Sequence, residues 1–156
     1  MNKNVVKFPN AELIPAIVEM LHEGHNVKLR LRGFSMRPFL EDDRDIALLT
    51  LPRHYAVGDP ILAEIGPGHY VLHRLVKQDG KQLTLLGDGN LTYEHCTTDD
   101  VRATILGFYR KGRDKIDLIT GRKWRVYSWV WTHLFPVRRY LLAFYRRIWI
   151  PLLGTI

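Results

Sequence analysis

The chain has 156 residues, 46% hydrophobic and 25% charged, with a formal net charge of +7. That is enough for one globular domain with its own core and an appendage. A single cysteine, Cys96, excludes an internal disulfide framework. No Cys/His cluster has metal-ligand spacing and no Gly-rich phosphate loop occurs, so neither a metal nor a cofactor is expected.

The N-terminus lacks the apolar stretch of a signal peptide. Residues 10–23 read as an amphipathic helix, with Asn10 as N-cap, Leu13, Ile17, Met20 and Leu21 on one face, and Gly24 as the stop. Pro15 sits inside it, so the helix is either kinked or begins later. From Asn26 to Arg32 the chain alternates: Val27, Leu29 and Leu31 point one way, and Lys28, Arg30 and Arg32 the other, the pattern of a half-buried strand. Further strands are expected near 45–50, 60–65, 69–77, 82–87, 101–110 and 115–119, punctuated by Pro and Gly turns. Gln78-Asp79-Gly80-Lys81 reads as a hairpin turn. Many short strands with little helix indicate a mainly β fold, a small coiled antiparallel domain.

From about Gly121 the texture becomes helical and aromatic, broken by Pro136 and Pro151. The division expected is an N-terminal helix over 1–25, a β domain over 26–120 and a tail over 121–156. Residues 1–117 carry equal numbers of acids and bases. The whole basic excess lies in 118–156, which has Arg122, Lys123, Arg125, Arg138, Arg139, Arg146 and Arg147, no acid, and all four tryptophans. On a helical wheel Arg138, Arg139, Arg146 and Arg147 occupy one half, and Tyr140, Leu141, Phe144 and Ile148 the other. The longest run free of Asp, Glu, Lys and Arg, Val126 to Val137, has twelve residues. A membrane-spanning helix needs about 20.

Two short segments carry chemistry. Gly-Phe-Ser-Met-Arg-Pro at 33–38 offers a nucleophile, Ser35, on a turn just past a strand. His-Arg at 73–74 offers a general base, His73, inside another strand. A hydroxyl is a weak nucleophile unless a base lies within hydrogen-bond reach. Between them Asp59 stands in a Gly-Asp-Pro turn, and after them come Gly87-Asp88-Gly89-Asn90 and then Glu94.

Ser-Met-x-Pro, a Gly-Asp pair, a base followed by Arg, and Gly-Asp-x-Asn in this order resemble the type I signal peptidases and their LexA-like relatives. His73-Arg74-Leu75 is similar to the histidine branch, the archaeal and endoplasmic-reticulum signal peptidases. The resemblance covers roughly residues 27–110. It implies that Ser35 is the nucleophile, His73 the general base and Asp88 the acid that orients or charge-stabilises the base. Glu94 stands where the family more often has aspartate. Phe39 stands where the family usually has a small hydroxyl residue, which leaves the backbone N–H of Ser35 as the oxyanion donor. Read on turn chemistry alone, Asp88 is a structural turn residue, and Arg74 an anchor of the fold. Met36 is expected to pack under the nucleophile turn.

The function expected is a serine endopeptidase that cleaves signal or leader segments from precursors, with the substrate bound as an added strand. The signal peptidases resembled carry a membrane helix before the nucleophile, and the 34 residues before Ser35 hold none by composition. The tail is therefore the expected anchor. Arg138, Arg139, Arg146, Arg147 and Trp149 would meet an anionic membrane surface as a peripheral attachment at the cytoplasmic face. Nucleic acid is disfavoured as a partner, because tryptophan and leucine are too abundant for a phosphate-tracking arm. A tail packed as a helical hairpin on the domain or on a second copy is the plainer alternative. Two other functions stay open: a catalytically idle peptide- or partner-binding module, and a basic-tailed nucleic-acid-binding regulator.

Overall fold

The computed structural model describes residues 9–156. The first part of the expected N-terminal unit, residues 1–8, lies outside the described residues. Eight strands form one antiparallel sheet: β1 (Val27–Arg30), β2 (Ile46–Thr50), β3 (Pro60–Gly66), β4 (His69–Asp79), β5 (Gln82–Leu86), β6 (Glu94–Thr97), β7 (Val101–Tyr109) and β8 (Ile116–Leu118). Their order is β1-β2-β7-β3-β4-β5-β6, with β8 paired to β7. The late strand β7 therefore joins β2 to β3. Seven of the strands were legible as apolar runs. The four-residue β6 was not, because Glu-His-Cys-Thr has neither alternation nor β-branched content beyond Thr97.

Helix α1 (Asn10–His22) is capped by the Pro9 carbonyl, which accepts from the Glu12 and Leu13 N–H groups. Asn10 is already helical, so its expected capping role falls to Pro9. Pro15 is accommodated inside the helix. The buried face is Ile14, Ile17 and Leu21, rotated from the expected one: Ile14 replaces Met20, which is exposed.

Two cores lie on the sheet. The larger joins α1 to Leu29, Ala47, Leu49, Leu62, Ala103, Ile105 and Phe108, with Met36, Phe39 and Leu40 from the segment after β1. The smaller gathers Ile61, Ala63, Leu75, Leu83, Leu85, Cys96 and Val101. Burial raises the pKa of the Cys96 thiol, which keeps it protonated and unreactive.

The tail forms α2 (Arg122–His133), then α3 (Arg138–Phe144), a π-helical turn over Tyr145–Trp149, and a last helical turn α4 (Ile150–Leu153). Trp124 of α2 enters the larger core at 1% exposure. It meets Phe39 edge-on at 5.0 Å and Phe108 at 5.2 Å between ring centroids. Arg74 also lies over its ring. The first tail helix is thus part of the packed body.

Candidate active site

Past β1 the chain stays tied to the turn that leads into β2: Leu31 donates to the Asp45 carbonyl and Asp43 to the Leu31 carbonyl. Gly33 then turns at φ +85°, a conformation glycine adopts without a Cβ penalty, and donates to Asp42 Oδ1 at 2.7 Å. Ser35 follows on a compact turn held by Arg37 N–H to Phe34 O and Leu40 N–H to Met36 O. Arg37 stacks over Phe34 and ion-pairs with Glu41. Met36, Phe39 and Leu40 are buried beneath the turn, as expected of Met36. Phe39 stacks on Tyr127 at 4.5 Å, so it is a core aromatic. Among the described residues the Ser35 and Met36 N–H groups have no acceptor.

The Gly-Asp-Gly-Asn turn lies directly against this segment. Gly89 N–H donates to Ser35 O at 2.8 Å. A Cβ on Gly87 would stand 2.5 Å from Ser35 O, and one on Gly89 2.4 Å from Phe34 O. Both glycines are needed because backbone approaches backbone there. Two motifs more than fifty residues apart in the chain thus form one backbone-to-backbone contact.

His73 is on β4, opposite Ile61 of β3, and only 3% exposed. Its Nδ1 makes a short hydrogen bond with Glu94 Oε2. Glu94 opens β6 beside Leu85, with β5 between its strand and that of His73, and its extra methylene gives the carboxylate reach. Burial holds the imidazole pKa below its ordinary 6.5, against the opposing pull of Glu94.

Among the described residues Asp88 makes no hydrogen bond to His73. It is fully buried and accepts two hydrogen bonds from Arg74, at 2.8 and 2.7 Å, and one from Tyr127 at 2.7 Å. Its main-chain carbonyl accepts from the Trp131 indole at 3.0 Å. Arg74 also donates to Gly58 O and to Ser128 Oγ. Of the two acids it is Glu94 that hydrogen-bonds the His73 ring, while the Asp88 charge acts on His73 through space and, like Glu94, opposes the lowering of its pKa. Asp88 and Arg74 instead fix the 87–90 turn to β4 and to α2. Tyr127, Ser128 and Trp131 were missed as supports of the site. Their spacing from Trp124 at three, four and seven residues was the available signal for one buried helix face.

Ser35 and His73 line one cavity of about 130 Å³. Its apolar wall includes Leu29, Leu31, Met36 and Leu72, and Ile14 of α1 closes one side. No hydrogen bond joins the Ser35 hydroxyl to the His73 ring among the described residues. In free enzymes such bonds are often long and tighten when substrate binds. Among the described residues the outer edge of β1 is unpaired, and β5 leaves the 69–73 part of β4 without a second neighbour. Extended chain could pair at either edge beside the cavity.

The tail residues divide. Arg138, expected at a membrane surface, is 1% exposed. It donates to the Trp131 carbonyl and packs between the Trp131 and Phe135 rings. The packed face of this helix is Arg138, Leu142 and Tyr145, so the wheel assigned Arg138 to the wrong side. Arg139, Arg146 and Arg147 are exposed and Trp149 is half-buried. Arg146 donates to Gly89 O at 3.0 Å. Tyr140, Phe144 and Ile148 face outward. Leu141, assigned to the same apolar half, is half-buried. The tail thus packs an inner face on the body, as the plainer alternative has it, and leaves an outer face exposed.

No helix among the described residues is long and apolar enough to cross a membrane. No group of three or more His, Cys, Asp or Glu among them could hold a metal ion. No protein-family model matches this chain, and no curated protein matches it.

Proposed function

We propose that this protein is a serine endopeptidase of the signal peptidase I-like kind, built on that family's coiled β fold and acting at an anionic membrane surface through its tail. The observation that carries the reading is one cavity shared by Ser35 and a buried His73 whose Nδ1 is held by Glu94. With its proton on Nδ1 directed at the carboxylate, the ring keeps the Nε2 lone pair for the serine proton. Ser35 Oγ attacks the scissile carbonyl as His73 Nε2 takes its proton. The oxyanion forms beside the free Ser35 N–H, a donor worth about 3 kcal/mol in such chemistry. His73 returns the proton to the leaving amine, and water, activated by the same nitrogen, hydrolyses the acyl-enzyme. Asp88 and Arg74 act as positioning residues through the 87–90 turn.

The test is cleavage of a diverse peptide library, read by mass spectrometry with anionic liposomes present. Wild type, Ser35→Ala and His73→Ala run side by side. Cuts made by wild type and lost in both variants are expected. Peptide binding without turnover, unaffected by Ser35→Ala, would identify an idle binding module instead.

A further inference from the structure

Outside the cavity of Ser35 and His73, the structure has an open groove of about 470 Å³ between residues 89–92 and the helix that begins at Arg138. Arg139, Arg146 and Arg147 line it, with Asn90 and Thr92 opposite and Leu142 below. None of its lining residues is acidic, and residues 118–156 contain no acid. Three guanidinium groups around one groove repel one another, and no acidic side chain of the tail relieves this. Arg146 spends one nitrogen on Gly89 O. Arg139 and Arg147 have no acidic partner among the described residues.

We infer that this groove binds the phosphate headgroup of an anionic lipid. Guanidinium forks match phosphate oxygens in geometry as well as charge. The same helix distinguishes lipid from soluble phosphate. Beside the arginines it exposes Tyr140 (67%), Phe144 (50%) and Ile148 (47%), and Leu152 and Leu153 follow on the next turn. A free anion uses only the arginines. A bilayer uses both, with the headgroup in the groove and the apolar stripe at the acyl boundary. The inference rests on the membrane-surface part of the proposed function and is independent of the peptidase chemistry.

The experiment is co-sedimentation of the full chain with phosphatidylcholine vesicles, with and without phosphatidylglycerol. Three double variants are compared with wild type. Arg139→Gln with Arg147→Gln removes groove charge. Arg122→Gln with Arg125→Gln removes equal charge from the exposed surface of α2. Phe144→Ser with Ile148→Ser removes the stripe. All six residues are exposed, and thermal unfolding checks that the fold is kept.

Phosphatidylglycerol-dependent binding is expected. It should weaken about thirtyfold in the groove variant, threefold or less in the α2 variant, and at least tenfold in the stripe variant. Equal weakening by the two arginine pairs would overturn the groove as a site, leaving only diffuse attraction. Wild type that ignores phosphatidylglycerol would overturn the membrane-surface reading with it. Two further titrations separate the sources of phosphate. If inorganic phosphate binds wild type and the stripe variant as tightly as vesicles bind wild type, the occupant is a soluble anion. If duplex DNA binds more tightly than vesicles and depends on Arg139 and Arg147, the occupant is nucleic acid. Either result would overturn the lipid assignment.

Discussion

Gly87→Ala tests whether the Gly-Asp-Gly-Asn turn positions the nucleophile. The added Cβ would stand 2.5 Å from the Ser35 carbonyl oxygen, about 0.9 Å short of an ordinary 3.4 Å contact. The atom it meets is backbone and cannot rotate away. Gly87 is not at positive φ, so alanine adds no torsional strain, and the steric push is the whole perturbation. Either the 87–90 turn or the Ser35 turn must shift by most of an ångström. Overpacking of this kind costs about 1–3 kcal/mol of stability, and a displacement of about 1 Å at a reacting group costs about 100-fold in rate. The assay is the initial cleavage rate of a peptide taken from the library, alongside denaturant unfolding. Gly80→Ala is the control: it lies on the β4–β5 hairpin at φ +56° with nothing near its Cβ. It should lose about 1 kcal/mol of stability and keep its rate. A Gly87→Ala protein that is folded and cleaves at the wild-type rate would refute the positioning role.

The two acids should separate by readout. Glu94→Gln should keep the fold and lower the cleavage rate about 10²–10⁴-fold, the range of a misoriented base, whereas Asp88→Asn leaves Arg74 buried without its counter-charge and should cost about 3–5 kcal/mol in chemical denaturation. Because burial lowers the His73 pKa, the acid limb of kcat/KM should fall below pH 6.5, and a limb at or above 6.5 would contradict the buried neutral ring. For stability the sign follows from linkage. Below pH 6.5 the unfolded imidazole binds more protons than the folded one, so stability declines as pH drops from 6.5 towards the folded value, and His73→Gln should flatten that slope. Trp124→Ala should lose about 3–5 kcal/mol in the same denaturation assay, because the ring is enclosed by Phe39, Phe108 and Arg74.

The alternation of Val27, Leu29 and Leu31 was enough to place β1, because period two survives in a half-buried strand. The meeting of the Ser35 and Gly87–Asn90 segments was implied only by their order in a motif series. Nothing in the spacing of Asp88 and Glu94 told which carboxylate reaches His73, since that depends on how β5 and β6 pair, and β6 carries no apolar pattern. The tail misled for a different reason. A helical wheel sorts residues by angle and does not say which angle faces the protein. Arg138 was sorted with the other arginines, yet the aromatic surface of Trp131 and Phe135 accepts its guanidinium face. Trp124 and Trp131, which the sequence showed only as part of the tail's aromatic content, are buried in the body.

The strand order sets a sequence of events for a chain leaving the ribosome. Ser35 precedes β2, His73 lies on β4, and the hydrogen-bonded path between those strands runs through β7. Until residue 109 has emerged, β2 and β3 each present an unpaired edge, and the segments bearing Ser35 and His73 share no sheet. Such non-local closure is slow and leaves sticky edges exposed meanwhile. The arrangement also means that the nascent chain lacks the shared cavity: the Ser35 and His73 segments enter one sheet only as the last long strand zips the two halves together.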